Sequence, residues 1–205
     1  MNILYVISRT TKKIGNIVRL VYYILFQKPL YSLIYNMRGN VFKCKGILTS
    51  SRIMLNGKGN SIIIENGVWL NKVKIDIVGS NNVLILRKNV RFTEGGWIRL
   101  QDNNNKLEIG DNSRMINVWF ALGDNNQIIQ IGKDCLFSAS VILRTNDGHS
   151  VLDENHNRIN YPKSITIGDR VWLGYGVNVL KGSCIGNDSV VGTQSLVTGC
   201  SRIIV

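Results

Sequence analysis

Proline is almost missing, with two in 205 residues, against twenty glycines. That excludes collagen-like and proline-rich architectures. Histidine is equally scarce at two, and the four cysteines (Cys44, Cys135, Cys184, Cys200) contain no Cys-x-x-Cys pair. A zinc cluster is therefore not expected, and no metal is assigned. Cysteines so widely spaced are expected to be reduced, buried thiols of a cytosolic protein. The first 64 positions lack acidic residues and hold ten Lys or Arg; positions 65–205 are near balance, fifteen basic against thirteen acidic. The net charge of +12 thus belongs to one end. A uniformly basic nucleic-acid binder is not indicated; the basic end faces solvent, anionic lipid or an acidic glycan. No apolar run is long enough to span a bilayer, and residues 17–26 (IVRLVYYILF) include Arg19. The N-terminus has no signal-peptide pattern, its apolar stretches being broken by Arg9, Lys12, Lys13 and Arg19.

With 44% hydrophobic and 19% charged residues, the composition is that of a globular chain, one domain plus a short appendage in length. Residues 1–38 read as helical. Ile14, Ile17, Val18, Val21, Ile24 and Leu25 recur at three- and four-residue spacing before Pro29. An apolar stripe flanked by basic residues fits a helix lying on an anionic membrane, or one packed on its own domain or a second subunit. A domain boundary is set at residue 40.

Residues 41–205 differ in kind. Stepping by six from Ile167 gives Leu173, Val179, Ile185, Val191, Val197 and Ile203. Stepping from Val171 gives Val177, Ser183, Ser189, Ser195 and Ser201, all small or β-branched. Glycine follows the aliphatic at 168, 174, 186 and 192. Three phased columns predict a parallel β-solenoid with triangular coils. Each six-residue unit makes one strand and one corner, and three units make a coil that buries its core against the next. Earlier, Ile109, Met115 and Ala121, then Ile131, Phe137 and Leu143, continue the inward column. Ser113, Cys135 and Val141 sit in the small column, with Trp119 outside the rule. The two dozen asparagines cluster in turns: Asn81-Asn82, Asn104-Asn105 and Asn125-Asn126 recur at 21–23 residues, so the early coils are larger. Residues 123–126 are expected to form a bulged corner. One polar stretch, 144–164, breaks the repeat and holds both histidines, His149 and His156; such an excursion is expected to be functional.

The hexapeptide columns, the run Asn146-Asp147-Gly148-His149-Ser150 and the segment ITIGDRVWLGYGVNVLKGSCIGNDSVVGTQSLVT resemble the left-handed β-helix (hexapeptide-repeat) acyltransferases. The likeness is nearest to bacterial O-acetyltransferases of capsule, O-antigen and exopolysaccharide synthesis, then to maltose and galactoside acetyltransferases. It is specific over residues 107–200, loose over 41–106, and excludes the first 38. It implies a left-handed all-β helix, acetyl transfer from acetyl-CoA to a sugar hydroxyl, and a homotrimer with sites in the grooves between subunits. The family's catalytic histidine falls on His149 and its post-loop tryptophan on Trp172. Coenzyme contacts, mostly through backbone, fall on Gly174, Tyr175, Gly192, Thr193, Thr198 and Gly199. The chain departs from its relatives by stopping at Ile204-Val205, where they continue, which bears on the adenine end of the coenzyme site.

The residues support the same chemistry. A sugar hydroxyl needs a base near neutral pH, and a neutral imidazole supplies one, worth roughly 10²- to 10⁴-fold. His149 is the expected base, with Asp147 as a candidate for orienting its ring. A backbone N–H of the loop or of Gly174 is the candidate oxyanion donor. No Gly-x-Ser-x-Gly elbow occurs, so direct transfer is expected. Lys181 is a candidate for the coenzyme phosphates, as is Lys163. Asn146, Asn117 and Arg144 are candidates for the acceptor, while His156 is expected on the surface and Trp97 and Trp119 in packing roles. A peripheral place at the cytoplasmic face of the inner membrane is expected. Two alternatives stay open: acetylation of a small soluble sugar, nucleotide amino sugar or antibiotic, and a non-catalytic glycan-binding solenoid. The zinc carbonic anhydrase of this fold needs three histidines, and nucleic-acid binding lacks a motif.

Overall fold

The computed structural model describes residues 33–35 and 38–201. Among them there is no helix; every strand pairs in parallel with the strand one turn of chain away. Three stacks of strands form a triangular prism. The first face stacks Val41–Cys44, Ser61–Ile64, Val83–Leu86, Lys106–Ile109, Ile128–Ile131, Ile165–Ile167, Cys184–Ile185 and Cys200–Ser201. The second stacks Ile47–Thr49, Trp69–Asn71 and Arg91–Phe92, the opening halves of the long strands Arg114–Leu122 and Leu136–Arg144, then Trp172–Leu173 and Val190–Val191. The third stacks Leu33–Tyr35, Arg52–Asn56, Val73–Val78 and Gly96–Gln101, the closing halves of the same two long strands, then Asn178–Val179 and Leu196–Val197.

The aliphatic column fills the axis: Ile167, Leu173, Val179, Ile185, Val191 and Val197 are buried, as are Val171, Val177, Ser183 and Ser189 from the small column. Above the polar excursion the turns repeat at the expected 18 residues, as Ile167 opposite Ile185 and Leu173 opposite Val191 show. Below it they are longer: Leu84 lies opposite Leu107 and Leu107 opposite Ile129. The extra length goes into a longer third face and an asparagine corner.

That corner is a hydrogen-bonded ladder. Asn60, Asn82 and Asn105 are fully buried. Their amides donate to the carbonyls of Gly79, Asp102 and Asp124 at 2.9, 2.8 and 2.7 Å. Their Oδ1 atoms accept from the backbone N–H of Asn82, Asn105 and Gln127. The residues before them turn left-handed, with φ of 72° at Gly59, 58° at Asn81 and 60° at Asn104, a conformation that glycine adopts freely and asparagine tolerates better than most residues.

Four expectations need correction. Ala121 is not in the inward column: the register shifts between Asn117 and Val118, so Val118, Phe120 and Leu122 point in. The final turn is two residues short, so Ser201 opposes Ile185; Ile203 lies outside the described residues. That shortening sets Cys200 opposite Cys184, and the two form a disulfide rather than the expected buried thiols; Cys44 and Cys135 are free, their thiols pushed up by burial. Finally, Leu33–Tyr35, within the stretch read as helical, is a strand in register with Arg52–Met54. Of the rest of the expected helix, Arg38 is in a turn and the other residues lie outside the described ones.

Candidate active site

The excursion leaves the third face after Arg144 and rejoins the first at Ile165. Its root is fixed at Thr145, buried, whose N–H donates to Ala121 and whose carbonyl accepts from Lys163. Residues 151–160 fold into a small hairpin, closed by a bridge between Leu152 and Arg158. Asp153 Oδ1 caps its turn by accepting from the N–H of Asn155 and Asn157 at 2.8 Å. His156 sits at the exposed tip with φ of 62°, the surface place expected of it.

Two ion pairs clamp the hairpin to the prism, one below and one above. Arg158 reaches down to the asparagine corner and donates to both Asp124 oxygens at 2.9 Å; Asn146 Nδ2 reaches the same carboxylate at 3.2 Å. Above, Lys181 bonds Asp147 Oδ2 and also the Asn160 carbonyl. Arg158 holds the Asp124 carboxyl below the usual aspartate range, and Lys181 does the same for Asp147.

Asn160 joins the clamp to His149. Its amide donates at 2.8 Å to Asp147 Oδ2 and to the His149 carbonyl, and its Oδ1 accepts from Val151 N–H at 2.7 Å. The His149 backbone is thus pinned while its side chain is exposed. Asp147 Oδ2 is bonded by Lys181 and Asn160, and the same Asn160 amide holds the His149 carbonyl. Lys181 likewise fastens the loop in this structure. Nothing in the spacing of Asn160 and Arg158 marks them in the sequence.

The remaining candidates fall on the two edges of the third face. Asn117, Gly174, Tyr175, Gly192 and Thr193 lie along its edge with the second face: Asn117 is in register with Ala139, whose carbonyl accepts from Gly176 N–H. Asn146, Asp147, His149, Lys181, Thr198 and Gly199 lie along its edge with the first face. Trp172, half exposed, is on the second face between Leu136 and Val190. One chain therefore sets Trp172 and His149 on different sides of the prism. Turns approach closely at Gly174, where a Cβ would stand 2.8 Å from the Thr193 nitrogen. By contrast, a Cβ on Gly192 would meet only Ser195 Oγ at 3.8 Å, and one on Gly199 would meet nothing within 4 Å. The backbone is thus open at Gly192 on one edge and at Gly199 on the other. Among the described residues no group of side chains could hold a metal ion.

No family model matches the chain. A polysialic acid O-acetyltransferase of Neisseria meningitidis is 32% identical over 147 residues, covering 62% of this chain and 68% of that protein. Among solved structures, the polySia-specific acetyltransferase NeuO aligns with a TM-score of 0.71 at 35% identity, over 79% of this chain and 74% of its own. The polysialic acid O-acetyltransferase OatWY aligns with a TM-score of 0.76 at 28% identity, over 80% and 78%. Sequence and fold agree over the same three-faced prism, and the chain belongs to the left-handed β-helix (hexapeptide-repeat) acyltransferase family, the family of the bacterial polysaccharide O-acetyltransferases.

Proposed function

We propose that the protein moves the acetyl group of acetyl-CoA to a hydroxyl of a bacterial surface polysaccharide, with His149 as general base. The observation that carries this is the clamp: two ion pairs and Asn160 fix the His149 backbone and leave its imidazole outside the prism. The imidazole takes the hydroxyl proton as the sugar oxygen attacks the thioester carbonyl. The oxyanion is held by a backbone N–H of the loop, because the Gly174 N–H already donates to the Val191 carbonyl at 2.9 Å. The C–S bond then breaks, and the coenzyme sulfur leaves with the proton from the imidazolium. No acyl-enzyme is formed. Acetyl-CoA enters as co-substrate between neighbouring subunits, along Gly174, Tyr175, Gly192 and Thr193 on one edge and along the edge with Thr198 and Gly199 that the next subunit presents.

The working form is a homotrimer. The separation of Trp172 from His149 in one chain supports this, because a neighbour's second face can bring its Trp172 to the loop. So do the exposed apolar side chains Val151, Leu152 and Ile159 of the hairpin and Tyr161 beside it, which a neighbour would cover. Light scattering at the mass of one chain overturns the trimer. The basic, apolar N-terminal segment brings the enzyme to the cytoplasmic face of the inner membrane. Equal sedimentation with anionic liposomes after replacing Arg9, Lys12, Lys13 and Arg19 by Gln overturns that part.

The decisive experiment is thiol release from acetyl-CoA with and without a polysaccharide, polysialic acid first. Acceptor-stimulated release that His149→Ala lowers by about a hundredfold or more, with unchanged melting temperature, supports the base. Undiminished release in the variant removes His149 from the mechanism.

A further inference from the structure

The third face carries a feature that packing does not exhaust. Outside the core, Lys74, Trp97 and Trp119 stand in register on successive turns, and beside them Asp76, Arg99, Ala121 and Arg144 do the same. The two indoles stack with centroids 5.1 Å apart and planes 8° from parallel. Cations bracket the stack: Lys74 lies 4.5 Å and Arg99 5.5 Å from the Trp97 ring, and Arg144 5.4 Å from Trp119. The lower indole is fixed by its Nε1–H donating to Asp76 at 2.9 Å, and Asp76 also takes Lys74 at 2.8 Å. The Trp119 N–H and the second Asp76 oxygen are buried with no partner, so the cluster is not a closed structural network.

We propose that this stripe is the acceptor-binding surface, and that it holds an anionic polysaccharide with Lys74, Arg99 and Arg144 on its acid groups and the Trp97–Trp119 pair against its sugar rings. The inference rests on the O-acetyl-transfer reading and names the acceptor's chemistry. Three cations against one acid give the face its sign. A guanidinium parked over an aromatic ring keeps its N–H edge for a carboxylate. The stripe climbs by ~4.8 Å per turn, comparable with the length of one sugar unit, so a chain lying along it meets a cation on three of four successive turns, Lys74, Arg99 and Arg144, and the Trp119 indole on the turn between the two arginines. It also leads to the chemistry, because Arg144 is followed directly by Thr145 and the loop that carries His149.

Polysialic acid serves as the probe and dextran as the neutral control, with the full chain and Arg99→Glu, Arg99→Lys, Trp119→Phe and Trp119→Ala. The expectation is that Arg99→Glu and Trp119→Ala raise Kd and KM for the acidic polymer by about tenfold or more, while Arg99→Lys and Trp119→Phe keep most of the affinity. Binding should weaken steeply with salt, acceptor-independent thioester hydrolysis should not change, and Arg99→Glu and Trp119→Phe should keep the wild-type melting temperature. Unaltered Kd in Arg99→Glu, or equal binding of dextran, overturns the surface and leaves acetyl transfer standing. A change of oligomeric state in Arg99→Glu makes the face a subunit contact and also overturns it. Polymer binding lost in the variants, without thiol release by the wild type, keeps the surface and overturns the enzyme reading.

Discussion

Arg158 grips Asp124 across 34 residues of chain, each guanidinium nitrogen 2.9 Å from its own carboxylate oxygen. This two-pronged bond ties the hairpin to a corner already fixed by the asparagine ladder, since Asn105 donates to the Asp124 carbonyl. Arg158 is thus a positioning residue. Its replacement by Ala should lower acceptor-dependent kcat by about ten- to a hundredfold, the cost of a misplaced catalytic group. KM for acetyl-CoA and the melting temperature should hold, and Arg158→Lys, with one prong, should recover part of the rate. Equal kcat in Arg158→Ala would show that His149 needs no such support.

Acid should release the same clamp. Asp124 and Asp147 both ionise below the usual aspartate range, because Arg158 and Lys181 hold the charged forms. A carboxyl depressed on folding contributes fully above its unfolded value of about 3.9 and loses that contribution as pH falls toward the folded value. Loop protection in amide exchange should therefore be flat from pH 7 to about 4.5 and drop below about 4. Asp124→Asn should show the weaker protection already at pH 7, with a shallower acid drop.

The ladder has its own test. Asn82→Ala strips the partners from Asn105 N–H and the Asp102 carbonyl and should cost about 2 kcal/mol or more in urea unfolding. Exposed Asn103→Ala, one corner residue away, should cost well under half of that. Equal losses would mean that burial of the amide is not what matters.

A steric prediction concerns Gly132. Its Cβ would stand 2.4 Å from the Gly168 carbonyl oxygen and from Asp169 Oδ1, so Gly132→Ala must push two turns apart. The expected loss is about 1–3 kcal/mol, read as a lower melting temperature. A melting temperature within one degree or so of the wild type, on the scale set for domains of this size, would show the turns are not in tight contact.

The prism was legible wherever the repeat is strict. Ile167 to Val197 announce themselves because one inward position per six residues leaves a column that few other folds produce. The period fails at Ala121, because a bulge after Asn117 lets Phe120 and Leu122 take the inward places. It fails again at the last turn, two residues short, where Cys184 and Cys200 meet. Leu33–Tyr35 was hidden because its aliphatics continue a helical spacing as readily as a strand. In the site, His149 was visible through its Asp-Gly-His setting and the break in the repeat. Its supports were not: Asn160, Arg158 and Asp124 are brought together by the fold of a loop with no period, and the partners of a polar side chain in such a loop are not written in its neighbours.

The turns below the loop, about 22 residues each, share one register and one ladder. Copying or deleting a whole turn there would keep every corner, every inward column and the active loop intact. The stretch from the base of the prism to His149 is accordingly a ruler whose divisions can be added one at a time, and on the proposed acceptor surface the length of polymer engaged would be set by counting them.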